Sequence, residues 1–87
     1  MASLAEELKP VLTILEQILN DRTVPRNIRA AAESSLASLN STADTAEVKI
    51  STAIHTLDEI INDPNMPMYT RTQIWNVVSM LEELRRA

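Results

Sequence analysis

Apolar residues recur every three or four positions through most of the chain, the spacing that places them on one face of an α-helix. The first stripe runs from Leu4 to Leu19 and precedes Pro25, a residue that suits the start of a second helix. Further stripes run from Ile28 to Leu39, from Ile50 to Ile61 and from Ile74 to Leu84. The pattern therefore predicts four helices and an all-α fold.

Pro10 falls inside the first stripe. Proline lacks a backbone N–H and crowds the preceding helical turn, yet the stripe keeps its phase across it. Ser3 and Glu6 have the spacing of a capping box at the start of the same helix. We expect the helix either to kink at Pro10 or to restart there.

The second half of the chain repeats the first. Residues 11–39 align with residues 53–81 without a gap, and seven of the 29 aligned pairs are identical. These are Leu15/Leu57, Ile18/Ile60, Asn20/Asn62, Asp21/Asp63, Pro25/Pro67, Arg29/Arg71 and Leu39/Leu81. Short loops imply antiparallel neighbours. We therefore expect a single domain over residues 1–87, a compact four-helix arrangement of two repeated antiparallel helical hairpins.

Composition excludes several classes of site. Glycine is absent, which excludes a glycine-rich phosphate loop, and the absence of cysteine excludes disulfides and thiolate metal sites. A net charge of −4 disfavours binding to nucleic acid through bulk electrostatics. We expect no cofactor, no metal and no small-molecule ligand.

The apolar runs are too short to span a membrane. The segment from Met1 to Lys9 contains two glutamates and lacks the basic and apolar regions of a signal peptide. The sequence therefore predicts a cytoplasmic protein with no membrane association.

The element Asn-Asp-x-x-x-Pro-x-x-x-Arg occurs at residues 20–29 and again at residues 62–71. Its charged members, Asp21 with Arg29 and Asp63 with Arg71, form either a charged site or a device that closes each hairpin. An arginine in the first turns of a helix lies near the preceding aspartate and near the terminal carbonyls of the helix before it. Recurrence in both copies favours the structural interpretation.

The segment from Leu15 to Asp21, followed by Val24, Arg29 and an alanine-rich run, resembles a HEAT repeat, although its Asp-to-Arg spacing is longer. Residues 21–29, and residues 62–67 followed by Arg71-Thr-x-Ile-Trp-Asn76, resemble the signatures of the archaeal uncharacterised protein family 0147. That resemblance covers almost the whole chain. It implies an archaeal, cytosolic helical protein with no assigned activity and no catalytic or binding residues to carry over.

Candidate catalytic groups are few. His55 is the only histidine and lies near Asp58 and Glu59, so it is either a general base oriented by Asp58 or a surface residue in an ordinary helical pair. Carboxylates occur near one another in two places, but neither has a histidine at the spacing of di-metal helical bundles. These are Glu6 and Glu7 with Glu16, and Glu82 with Glu83. We predict that the protein is not an enzyme.

Arg22, Arg26 and Arg29 form a local basic patch at the start of the second helix. Together with Arg85 and Arg86, it supports an alternative function as a weak nucleic-acid-binding accessory protein. Asp21 and Glu33 partly offset this charge, and no aromatic residue lies between the arginines to stack on bases.

Trp75 falls outside the apolar stripe of the fourth helix, with Met66, Met68 and Tyr69 nearby. Methionine and tryptophan are enriched at protein interfaces, but Trp75 is also the largest residue that could fill a small core. Val48 lies off the core face of the third helix in a similar way. The leading hypothesis is a non-catalytic protein-interaction module that contacts a partner protein or a second copy of itself through a surface formed by Met66, Met68, Tyr69 and Trp75.

Overall fold

The structure of the chain, a computed structural model, describes residues 3–86, so the segment from Met1 to Lys9 is described from Ser3 onward. These residues form four helices and no strand: α1 (Leu4–Leu19), α2 (Arg26–Leu39), α3 (Ala46–Ile60) and α4 (Met68–Arg86). The prediction of an all-α fold is confirmed.

The helix starts follow from local chemistry. The Ser3 side chain accepts a hydrogen bond from the backbone N–H of Glu6 (3.2 Å), and the Thr45 side chain accepts one from Val48 (3.3 Å). Each satisfies an amide that the first helical turn leaves unpaired. Pro25 occupies the N-cap position of α2. Helix α1 continues through Pro10, so it does not restart there.

Each helix packs mainly against two others. Helix α1 contacts α2 and α4, α2 contacts α3, and α3 contacts α4, which closes the four helices around one core. The contact between α2 and α3 is the most extensive, and α2 has the small residues Ala32 and Ser35 on its buried face. Small side chains let neighbouring helices approach closely. The radius of gyration is 12.2 Å, close to the value of about 12 Å expected for a compact chain of this length.

Burial agrees between positions that lie 42 residues apart in the sequence. The pairs in which both members are buried include Val11 and Ala53, Leu15 and Leu57, Val24 and Met66, Ile28 and Thr70, Ala32 and Ile74, Ser35 and Val77, and Leu39 and Leu81. This agreement is what two similar hairpins would produce, while the duplication itself stays a prediction from the sequence. None of the helices within residues 3–86 combines the length and the apolar composition that crossing a membrane requires.

Candidate functional site

The loop between α1 and α2 is held by Asp21 and Arg29. The Asp21 Oδ1 atom accepts hydrogen bonds from the backbone N–H of Thr23 (2.9 Å) and from its hydroxyl (2.6 Å). These two bonds, and the positive charge of Arg29, lower the pKa of the Asp21 carboxyl. The Arg29 Nε atom donates to the carbonyl oxygen of Val24 (3.0 Å). The arginine therefore binds a loop carbonyl rather than the carboxylate.

The loop between α3 and α4 uses the same residue types with different bonds. The Asp63 Oδ1 atom accepts from the backbone N–H of Asn65 (2.8 Å), and Arg71 Nη2 donates to the carbonyl oxygen of Asp63 (2.8 Å). The Arg71 Nε atom is buried and has no hydrogen-bond partner among the described residues. Neither aspartate forms a salt bridge with its arginine within residues 3–86. The sequence suggested a bond to the aspartate or to the terminal carbonyls of the preceding helix, whereas each arginine donates to a carbonyl of the loop itself.

A contact between the start of α2 and the α3–α4 loop was not predictable from the sequence. The amide of Asn27, in the first turn of α2, donates to Asp63 Oδ2 at 2.7 Å. This contact brings the start of α2 and the α3–α4 loop to the same end of the molecule. Asp63 can make the bond because its second carboxylate oxygen, unlike Oδ1, is not used inside its own loop.

Three large apolar residues of the predicted partner surface are exposed on α4. The exposed fractions are 84% for Met68, 71% for Tyr69 and 57% for Trp75, so Trp75 does not fill the core. Met66 is a correction to the predicted surface because only 6% of it is exposed. It packs with the core cluster, as its repeat counterpart Val24 does. We call Met68, Tyr69, Thr72 and Trp75, all exposed, the α4 surface.

A cavity of about 430 Å³ opens at this surface. It is lined by Pro64, Met66, Met68, Arg71, Thr72 and Trp75. A cavity of about 300 Å³ lies at the corresponding positions of the first hairpin, lined by Leu19, Arg26, Arg29, Ala30 and Glu33. Four lining positions correspond across the 42-residue offset: Arg26 with Met68, Arg29 with Arg71, Ala30 with Thr72 and Glu33 with Trp75. The two cavities share a location in the hairpin but differ in polarity, charged in the first and apolar in the second.

The predicted basic patch is only partly available. Arg22 and Arg26 are exposed, and neither takes part in a salt bridge within residues 3–86. Arg29 is half-buried and binds the Val24 carbonyl. Glu33 lines the same cavity as Arg26 and Arg29, so the cavity has residues of both charges in its lining.

Two pairs of titratable side chains lie on α3 and α4. The His55 side chain is 77% exposed and its Nε2 atom lies 3.7 Å from Glu59 Oε2, so the carboxylate beside it is that of Glu59 and not of Asp58. At the end of α4, Arg85 Nη2 lies 2.6 Å from Glu82 Oε2. Among residues 3–86, no group of three or more histidine or acidic side chains is placed to hold a metal ion.

A further cavity, of about 500 Å³, was missed by the sequence analysis. It lies between the start of α1 and the α2–α3 loop, and Leu4, Leu8, Leu12 and Leu39 form its apolar wall. At its rim, Lys49 Nζ donates to the carbonyl oxygen of Ser41 (3.2 Å). Leu4 and Leu12, which belong to the apolar stripe of α1, remain half-buried at this cavity. Their partial exposure depends on how the helices pack, so the sequence pattern does not reveal it.

Comparison with known proteins identifies the family. A sequence model described as Uncharacterised protein family (UPF0147) matches residues 1–84. The chain belongs to the UPF0147 family. The resemblance inferred from the motifs at residues 21–29 and 62–76 is thus confirmed.

Relatives within UPF0147 include archaeal proteins that are similar to this chain over most of their length. The UPF0147 protein of Methanocaldococcus jannaschii is 55% identical over 92% of this chain and 86% of its own. That of Sulfurisphaera tokodaii is 46% identical over 98% of this chain and 99% of its own. The family is uncharacterised, so it provides no residue roles to transfer.

Two crystal structures have the same fold. The unknown function protein MMP1188 superposes with a TM-score of 0.90 at 50% identity, covering 94% of this chain and 93% of that one. A UPF0147 protein from Thermoplasma acidophilum superposes with a TM-score of 0.86 at 34% identity, covering 92% of this chain and 94% of that one.

Replacing Asp21 by asparagine should weaken the first loop in a pH-dependent way. Because the pKa of Asp21 is lowered in the folded protein, its charge stabilises the fold above the ordinary aspartate pKa of about 4. That contribution is lost as the pH falls through the lowered folded value. Asp21→Asn should therefore have a lower melting temperature than wild type at pH 7, and the difference should shrink as the pH falls below the ordinary aspartate pKa of about 4. Asp58→Asn, at an exposed site, is the control; an equal difference at both pH values would contradict the assignment.

Met66 and Met68 provide a second test, because the two methionines differ in burial. Met66→Ala removes a buried side chain and should cost about 2–5 kcal/mol in the free energy of unfolding. Met68→Ala changes an exposed side chain and should change it by less than about 0.5 kcal/mol. Urea titration followed by circular dichroism measures both. Equal destabilisation by the two variants would show that Met68 is also a core residue.

Proposed function

We propose that this UPF0147 protein is a non-catalytic protein-interaction module whose partner binds at the α4 surface. The supporting observation is the exposure of Met68, Tyr69 and Trp75, which leaves more than half of each side chain in contact with solvent. Among residues 3–86, the one other exposed large apolar residue is Val48, and its exposed fraction is smaller, at 47%. Clustered exposed apolar residues on a small soluble domain mark a site of interaction.

The charge distribution along α4 supports the proposal. Charged residues make up 23% of the whole chain, yet Arg71 is the only one between Met68 and Leu81. Arg71 is half-buried, and its guanidinium donates to the Asp63 carbonyl. Depletion of charge together with enrichment of tryptophan, tyrosine and methionine distinguishes the centres of protein interfaces from the rest of the surface.

The cavity beside Trp75 gives such a partner an anchoring point. Four of its six lining residues are apolar or aromatic, namely Pro64, Met66, Met68 and Trp75, so an inserted apolar side chain would meet mainly apolar atoms. Anchor residues that fill pockets of this kind provide much of the affinity of protein complexes. Because the α4 surface lies on a helix, its backbone is already ordered and loses little conformational freedom on binding.

The non-catalytic part of the proposal rests on the chemistry near the cavities. Among residues 3–86, the only titratable side chain that lines the cavity at the α4 surface, here called the α4 cavity, is Arg71, whose guanidinium has hydrogen-bond donors and no acceptor. His55 is exposed on α3 and pairs with Glu59. No nucleophile and base are placed together at the α4 cavity.

The basic patch supports a second candidate function, weak binding to nucleic acid. The exposure of Arg22 and Arg26 favours it, while Glu33 and the net charge of −4 oppose it. We expect no retention of labelled RNA or duplex DNA in fluorescence polarisation even at low salt, where phosphate contacts are strongest. Salt-sensitive binding that is lost in an Arg22→Ala/Arg26→Ala variant would overturn this expectation and favour the second candidate.

Truncating Trp75 tests the interaction module directly. Wild-type, Trp75→Ala and Val48→Ala proteins, each carrying the same affinity tag, would be used to capture partners from a lysate of the source cells, with quantification by mass spectrometry. Val48 is the matched control because it is apolar, 47% exposed and on a different helix. We expect specific partners with wild type and Val48→Ala, and at least a tenfold loss with Trp75→Ala, typical of an interface anchor.

Trp75 also reports binding by its fluorescence, because it is the only tryptophan in the chain. Its emission should resemble that of solvent-exposed tryptophan in dilute protein and shift to shorter wavelength when a partner covers it. Partners captured equally by wild type and Trp75→Ala, with no change in emission on binding, would contradict the proposal.

A further inference from the structure

We infer that the α4 surface is covered by a second copy of this chain, with the two α4 helices antiparallel and a twofold axis passing near Thr72. This inference rests on the proposed function, since it names the partner of the same surface. It is carried by the order of residues along α4, by the distribution of charge and by the area that the exposed residues provide.

The spacing of the exposed residues makes the surface complementary to itself. Met68, Thr72 and Trp75 lie four and three positions apart, so they share one face of α4. An antiparallel pair with its axis at Thr72 places Trp75 opposite Tyr69 of the second copy and next to its Met68. The small residue then lies where the helices cross, and each large residue meets another large residue on the partner. Aromatic pairs and methionine–aromatic contacts are both favourable.

Thr72 is suited to the crossing point. Its hydroxyl donates to the Met68 carbonyl within the same helix at 3.2 Å. Its polar hydrogen is therefore already bonded, and burial at the crossing would leave no unpaired donor. The remaining surface of the side chain is a methyl group, which can pack against its copy across the axis.

Charge favours this face over others for self-association. Two copies with a net charge of −4 each repel one another, so contact is favoured where acidic side chains are absent. No acidic residue occurs from Met68 to Leu81. The corresponding face of α2 also permits an antiparallel pair, in which Arg26 would meet Glu33 of the second copy. Such exposed ion pairs contribute little to affinity, and so α4 is the stronger candidate.

The exposed area is consistent with a dimer. Each aromatic side chain has an area of about 150–250 Å², and 71% of Tyr69 and 57% of Trp75 are exposed. Two copies would thus bury on the order of 500 Å² from these residues alone, about half of the ~1,000 Å² that a specific interface requires. Met68, which is 84% exposed, and the adjoining polar residues of the same face supply comparable area.

Disulfide crosslinking tests both the contact and its register, because the chain has no native cysteine. Helices that pack 8–10 Å apart bring residues on the axis to a Cα separation of about 5 Å, within the range that a disulfide spans. Thr72→Cys should therefore form a covalent dimer almost completely under mild oxidation at micromolar concentration, and the added substitution Trp75→Ala should reduce the yield several-fold.

Two matched controls separate this geometry from random collision. Ser79→Cys places the thiol on the same face but about 21 Å from its copy in the proposed register. Ala30→Cys places it at the position of the first hairpin that corresponds to Thr72, on an equally exposed part of α2. We expect both to remain largely monomeric under the same oxidation. Crosslinking of all three variants to the same extent would overturn the proposed register.

Sedimentation velocity of the wild-type protein completes the test. We expect a dimer that dissociates on Trp75→Ala substitution and persists on Val48→Ala substitution. At about 100 µM protein, even a micromolar dissociation constant would populate the dimer. A wild-type protein that is monomeric at this concentration would therefore overturn the inference. If such a monomer still captured another protein in a Trp75-dependent way, only the dimer would fail. If Trp75→Ala altered neither sedimentation nor capture, the proposed function would fail with it.

Discussion

The structure depends on one constraint, which is that each helix has a single apolar stripe that its two neighbours must cover. Four short helices arranged in a closed ring meet this requirement, and each stripe includes large residues that are fully buried, such as Leu15 in α1 and Leu57 in α3. Because the core is complete without them, Met68, Tyr69 and Trp75 are not needed to cover any stripe. Their exposure is therefore a property of the surface, and it calls for an explanation outside the fold.

In the two loops, the same residue types hold the loop against the following helix through different hydrogen bonds. Arg29 uses Nε to bind the Val24 carbonyl, whereas Arg71 uses Nη2 to bind the Asp63 carbonyl and leaves its Nε buried without a partner among the described residues. In both cases the arginine ties its helix to the loop before it, and the aspartate shapes that loop through its neighbour's N–H. Arg29 and Arg71 are less available to a ligand because each binds a loop carbonyl, which weakens the case for a charged site formed with Asp21 or Asp63.

Helix number, helix bounds to within a few residues and the buried faces followed from the sequence because they depend on local periodicity and on residues that cap or break helices. Pro10 shows the limit of local rules: it lies within α1, where the continuous apolar stripe on both sides keeps the helix together. Met66 was placed on the surface because its neighbours Met68 and Tyr69 are there, and only tertiary packing decides which member of such a cluster turns inward. The Asn27–Asp63 bond likewise joins residues 36 positions apart, a contact that no local pattern encodes.

The differences between the two halves of the chain agree with the function proposed for the α4 surface. Residues shared by both copies, such as Asp21 with Asp63 and Leu39 with Leu81, are accounted for by loop closure or core packing. Where a charged pair, Arg26 and Glu33, lines the cavity of the first hairpin, Met68 and Trp75 line that of the second. Exposed charges at those positions cost the free protein nothing, whereas an exposed tryptophan and methionine favour association. Met68 and Trp75 are more hydrophobic than Arg26 and Glu33 at the corresponding positions, yet they add nothing to the core. A contact that covers the α4 surface, as proposed, would account for this difference.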